Sequence, residues 1–139
     1  LMVAFSLRLH IYWMGKQSLF NQPFRGLMMW LGGIPVNREK STGFVLASVA
    51  AIKAATDGLQ LVVPPEGTRG RTRHWKTGFY HIALGAEVPI VMAYMDYDRK
   101  VSGLGPVFTP TGDIERDMAS IKSFYAPFKG RNARLFDPE

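Results

Sequence analysis

Two apolar runs, residues 59–63 and 88–95, flank a stretch of helical periodicity, and this alternation restricts the fold more than any other feature of the chain. Each run has the length of a strand buried on both faces, and Pro64–Pro65 ends the first abruptly. Between them Phe79, Ile82, Ala83 and Ala86 predict a helix over about residues 77–85. Upstream, residues 10–15 (His-Ile-Tyr-Trp-Met-Gly) read as a strand ending at Lys16. Residues 23–31 carry Pro near their start and Gly32–Gly33 beyond their end, the asymmetry of a short helix. Ser41 and Thr42 are placed to cap a helix over about residues 43–56, with Val45, Val49 and Ile52 at helical spacing and Asp57–Gly58 as its stop. Downstream, the Gly/Pro-rich residues 102–106 read as a turn and residues 107–109 as a short extended piece. Asp113 then opens an amphipathic helix to about residue 125, with Ile114, Met118, Ile121 and Tyr125 on one stripe. Strands separated by helices predict an α/β fold: a single layer of largely parallel sheet flanked by helices, with binding groups in the loops after the strands.

At 139 residues the chain fits one domain, residues 1–128, followed by a polar tail, residues 129–139, expected to be loosely held. With 47% hydrophobic and 20% charged residues there is enough apolar side chain for a core and too little charge for disorder. The absence of cysteine excludes a disulfide framework, a thiolate metal site and a cysteine nucleophile. No apolar stretch approaches the roughly 20 residues of a spanning helix. The formal charge of +6 suits phosphate, nucleic acid or anionic headgroups without choosing among them. The chain starts at Leu1, and residues 1–7 read as the end of a buried helix, so a fragment is expected.

The segment between the two strands holds the most chemistry. From Glu66 to Tyr80 it carries Arg69, Arg71, Arg73 and Lys76 against the single acid Glu66, a local +3 that is half of the chain's excess. Guanidinium forks and glycine N–H groups before a helix suit a phosphate ligand, although a basic loop can also be merely solvated. A phosphate-cradling Walker loop is approached by Gly70 and Trp75-Lys76-Thr77 and fails, because Trp75 stands where a second glycine is required.

The same residues resemble the glycerolipid acyltransferases of the lysophosphatidate type. Pro65-Glu66-Gly67-Thr68-Arg69-Gly70-Arg71 is similar to that family's Pro-Glu-Gly-Thr-Arg-Ser-Arg block, and Lys76, Gly78 and Phe79 match the Lys-x-Gly-Phe that follows. Three further blocks occur in family order: residues 13–20 around Met14-Gly15-Lys16, residues 33–38 ending in Asn37-Arg38, and Val88-Pro89-Ile90-Val91. The resemblance implies that Glu66, Gly67, Thr68 and Arg69 bind the phosphate of the acceptor. Asn37 and Arg38 come from a block also linked to acceptor binding, and Lys16 and Lys76 become further contacts to phosphate or carrier. Residue chemistry alone leaves acceptor and carrier open, and leaves Glu66 equally a structural anchor for an arginine.

The family's catalytic His-x4-Asp pair is absent: His10 is followed five positions later by Gly15, His74 by Phe79 and His81 by Ala86. The resemblance places that pair upstream of Leu1, so the chain by itself is expected to be inactive. It further implies acyl-CoA or acyl-carrier protein as donor, a lysophospholipid acceptor, no cofactor and no metal. The parent would be peripheral on the cytoplasmic face of a membrane, touching anionic lipid. Trp13, Phe24, Met28, Met29 and Trp30 read either as an interfacial surface or as core at helical spacing, with core packing placed slightly ahead. The alternatives are a catalytically inactive anionic-lipid or phosphate-binding domain of the same fold and, less favoured, a single-strand nucleic-acid binder using Arg71, Arg73, Trp75 and Tyr80.

Overall fold

The computed structural model describes residues 11–36, 41–56, 58–66 and 74–130, without the side chains of Met14, Lys16, Gln17, Leu19, Pro35, Val36, Ser41 and Thr42. The chain divides into two compact units, Leu1–Pro64 and Pro65–Glu139.

The first unit is built on a three-stranded parallel sheet in the order β2-β1-β3. Strand β1 (Ile11–Lys16) leads through a 3-10 turn (Gln17–Phe20) into helix α1 (Arg25–Trp30), then β2 (Gly33–Val36), α2 (Ser41–Ala54) and β3 (Gln60–Val62). Parallel neighbours need long crossovers, and α1 and α2 fill the two between these strands. The register pairs Trp13 with Gly33 and Lys16 with Val36 on one side of β1, and Trp13 with Val62 on the other. Phe20 is the buried centre of this unit. A Cβ on Gly15 or on Gly33 would come within 2.9 Å of its ring, so both glycines are needed where the aromatic lies against the strands. The Trp13 ring stands 6.0 Å from Phe20, and its Nε1–H donates to the Leu31 carbonyl at 3.0 Å.

The second unit runs from the basic segment into α3 (Gly78–Ala86), then β4 (Ile90–Asp96), β5 (Val101–Phe108) and α4 (Ile114–Tyr125). Strands β4 and β5 form an antiparallel pair, with a register shift between Val91 and Ala93. Asp96 makes the connection: its buried carboxylate accepts from the backbone N–H groups of Asp98 and Arg99 at 3.0 and 3.3 Å, while Lys100 takes a positive φ of 55°. Asp113 caps α4 by accepting from the Arg116 N–H at 3.2 Å, as its sequence position predicts. Tyr94, Phe124, Tyr125 and Phe128 stack beside the strand pair, with Tyr94 and Phe128 rings 4.4 Å apart.

The α/β class holds, and the helices fall close to their expected positions. Several finer expectations are corrected. The described strands form two sheets, one parallel and one antiparallel, and not one parallel layer. The predicted turn at residues 102–106 is the interior of β5, because Gly103 and Gly105 lie under the rings of Tyr94 and Phe124 and Pro106 is tolerated in a two-stranded pair. Among the described residues of the first unit the run at 59–63 is not buried on both faces: β3 pairs with β1 alone, and its Gln60 and Val62 are exposed. Strand β4 buries only Met92 and Asp96, with Val91, Ala93 and Met95 outward. Ser41 and Thr42 lie inside α2 and do not precede it. Lys129, expected in a loose tail, is tied down: its carbonyl accepts from Tyr97 N–H at 2.9 Å and its ammonium pairs with Asp98 at 2.7 Å.

Candidate functional site

The segment that leaves β3 and enters α3 is pinched at its base. The Lys76 N–H donates to the Pro65 carbonyl at 2.8 Å, so the chain on either side of residues 66–75 is joined by a backbone hydrogen bond. Glu66 and Lys76, twelfth and second before α3 respectively, therefore flank one neck, Glu66 half-buried and Lys76 exposed. Gly67, Thr68 and Arg69, and Asn37 and Arg38, lie outside the described residues. Lys16 is the last residue of β1, beside Val36 at the end of β2, so the chain enters Asn37-Arg38 from the same sheet edge at which β1 ends. In a parallel sheet this C-terminal edge is where ligand-binding loops arise.

A groove unforeseen from the sequence adjoins the neck. His74, Trp75 and Thr77 line one side and Ile114, Glu115, Met118 and Lys122 of α4 the other of a shallow, open depression of about 290 Å3 with a mainly apolar floor. The helical spacing of Ile114, Met118 and Lys122 is legible, whereas their pairing with residues 74–77 depends on tertiary folding. Trp75 is held by an edge-on contact with Tyr125, ring centres 5.5 Å apart, and Tyr125 donates to the Ala93 carbonyl at 3.0 Å.

Beneath the entry to α3 lies a buried polar latch, also unforeseen. Tyr80 and Asp117 are 1% and 2% exposed, and the Tyr80 hydroxyl donates to Asp117 Oδ2 at 2.8 Å. Thr111 adds its N–H to Oδ2 at 2.7 Å and its hydroxyl to Oδ1 at 2.9 Å, while the Gly112 N–H donates back to the Tyr80 oxygen at 3.0 Å. Burial pushes the Asp117 carboxyl upward, but the Thr111 N–H, the Tyr80 hydroxyl and the Thr111 hydroxyl together outweigh it and hold the group below its ordinary value. Burial, with the adjacent carboxylate, raises Tyr80. The latch fixes the first turn of α3 to α4 and so sets the direction in which the basic segment enters its helix.

Of the three histidines, His74 and His81 are described, both exposed, with His81 edge-on to Tyr80 at 5.7 Å. Among the described residues no three His, Cys, Asp or Glu side chains gather into a metal site, and no helix is long and apolar enough to cross a membrane.

Comparison with known proteins places this geometry in context. The family model described as Acyltransferase matches residues 1–96. The 1-acyl-sn-glycerol-3-phosphate acyltransferase of Haemophilus influenzae is 40% identical over 82 residues, covering 55% of this chain and 34% of that protein. The protein of the same name from Escherichia coli is 38% identical over 84 residues, covering 55% of the chain and 34% of its own length. The 1-acyl-sn-glycerol-3-phosphate acyltransferase alpha of Mus musculus is 32% identical over 94 residues, covering 61% and 33%. The chain thus spans about a third of the length of these curated relatives. No solved structure matches it significantly.

Proposed function

The chain belongs to the acyltransferase family, and from that premise we propose that the protein containing it moves a fatty acyl group from acyl-CoA or acyl-carrier protein to a lysophospholipid hydroxyl. The acceptor is 1-acylglycerol-3-phosphate and the setting phospholipid biosynthesis, with the protein peripheral on the cytoplasmic face of a membrane. The observation that carries this reading is the 40% identity to a relative named for that acceptor, over a chain that contains the basic Glu66–Lys76 segment.

In this reading the acceptor hydroxyl oxygen attacks the thioester carbonyl, the C–S bond breaks and the thiol leaves. The hydroxyl proton passes to a histidine of the His-x4-Asp pair, expected upstream of Leu1, and from it to the departing thiolate. The chain's own residues bind and orient. Arg69 offers a planar fork to the acceptor phosphate, with Gly67 and Thr68 supplying N–H and hydroxyl donors. Glu66 anchors the neck of the segment and Lys76 adds a cation there. Lys16, Asn37 and Arg38, from the C-terminal edge of the parallel sheet, contact a phosphate of acceptor or carrier.

The test is thiol release on mixing acyl-CoA and lysophosphatidate with the longest protein that contains this chain. Arg69→Ala is expected to raise the acceptor KM by about 10- to 100-fold, the loss of charge-assisted hydrogen bonds to phosphate, with the donor KM little changed. An unchanged acceptor KM would remove the phosphate assignment. Binding of anionic lipid without turnover by the wild type would favour the inactive binding domain instead.

A further inference from the structure

We propose that helix α1 docks the protein on an anionic phospholipid surface through the apolar stripe Phe24, Leu27, Trp30 and Leu31. The inference deepens the proposed function by giving its membrane contact a definite face, and takes from it only that the acceptor resides in a bilayer.

Phe24, Leu27 and Trp30–Leu31 recur at the spacing that, on a helix of a globular protein, faces the core. Here they face outward: Phe24 is 61% exposed, Leu27 50% and Trp30 81%, and no residue of α1 is buried. The end of the helix is attached through its backbone. Gly32 N–H closes its C-terminal end on Met29 O at 3.0 Å, and the residues after it are held to β1 by Trp13 Nε1–H to Leu31 O and Trp13 N–H to Gly32 O, both at 3.0 Å. Gly32, at φ 77°, passes against the Ile11 carbonyl, and a Cβ on Gly33 would lie 2.6 Å from the Met28 carbonyl. The two Trp13 bonds and the close approach of Gly32 to Ile11 join the end of α1 to β1, so turning the stripe inward would break them.

The charge of this part of the sequence, with Arg25 in the helix itself, selects the partner. Residues 1–38 contain Arg8, Lys16, Arg25 and Arg38 and not one Asp or Glu. The first unit, with six Lys/Arg against Glu39 and Asp57, carries +4 of the chain's +6. Exposed Arg25 lies within the helix itself. Exposed Trp, Phe and Leu side chains beside Arg25, in a unit whose sequence is net positive, match the boundary between acyl chains and acidic headgroups. A zwitterionic surface leaves the cations uncompensated, which is why the proposal commits to an anionic one.

The experiment is partition of the purified chain, and of the longest protein containing it, onto vesicles of phosphatidylcholine alone or with about one third phosphatidylglycerol. The expected result is flotation with the anionic vesicles and quenching of tryptophan emission by lipids brominated on the acyl chain. Leu27→Ser with Trp30→Ser should weaken partition by about 10- to 100-fold, and Arg25→Glu by about 10-fold, whereas Val107→Ser, an exposed apolar site on β5, should leave it unchanged. Equal partition of the Leu27/Trp30 variant and wild type overturns the proposal. So does Trp30 emission already shielded from iodide without lipid, which would mean that another segment or a second copy covers the stripe. Turnover of a water-soluble short-chain acceptor separates this inference from the reading on which it rests. A docking variant that keeps that turnover while losing vesicles supports α1, and wild-type docking without turnover of any acceptor fails the enzyme while α1 stands.

Discussion

Tyr80 is a residue whose importance lies in its oxygen. Its hydroxyl both donates to Asp117 and accepts from the Gly112 N–H, so Tyr80→Phe leaves that N–H without its partner and takes one of two donors from Asp117 Oδ2 at a site water barely reaches. Thermal unfolding should show a midpoint lowered by roughly 5 °C or more, whereas an unchanged midpoint would mean that the latch does not hold α3 to α4. Asp117→Asn is expected to do more harm than its size suggests. Both carboxylate oxygens accept, so the amide sets its NH2 either against the Thr111 N–H and Tyr80 hydroxyl or against the Thr111 hydroxyl, which must then accept where it now donates. None of this was legible in the sequence, since Tyr80 and Asp117 stand 37 positions apart, and Tyr80, read there as a possible stacking residue, is buried. Asp113, by contrast, was legible because a cap acts three residues along the same chain.

At the scale of elements, what the sequence reveals depends on how local the controlling contact is. That strands joined through helices pair in parallel holds in the first unit, whose order β2-β1-β3 no spacing encodes. Strand β5 was hidden because Gly103, Gly105 and Pro106 resemble a turn until Tyr94 and Phe124 are seen above the glycines. Helix α1 shows the complementary limit: periodicity says which side chains share a face, not whether anything covers that face. Gly105 provides the test of the β5 assignment. A Cβ there would strike the Phe124 ring and lie 2.9 Å from the Met92 carbonyl, so Gly105→Ala should destabilise the protein by about 1–3 kcal/mol in a urea titration. Adding Phe124→Leu should recover part of that loss, as the ring yields but the Met92 backbone does not. Full recovery, or no loss in the single variant, would mean that β5 does not pass beneath α4 as described.

For the molecule as a whole, the candidate site was legible mainly as chemistry. The basic segment from Glu66 to Lys76 suits a phosphate by its charge, the reading proposed above, while the neck at its base and the groove beside it come from contacts no spacing encodes. The same holds for the response to pH, which in the second unit is set by groups the fold brings together. Asp117 is held below its ordinary value of 3.8, so it binds a proton more readily unfolded than folded. Its contribution to stability is present above that value and is lost as acid brings the pH down through the folded-state pKa. At the other end Tyr80, raised first by burial, Tyr125, raised by burial, and Lys129, raised by its hydrogen bond to Asp98, bind protons more tightly when folded. Their contributions are complete below their ordinary values of 10.0, 10.0 and 10.5 and disappear as the pH rises through the raised ones. Denaturation midpoints measured across pH should therefore form a plateau from about 4 to 10 with a fall on each side. Asp117→Asn should lower the plateau and shallow the acid fall. Lys129→Met should shift the alkaline fall only slightly, because that pair is exposed and water screens it. An acid limb unchanged by Asp117→Asn would show that the latch carboxylate does not carry the acid sensitivity of the fold.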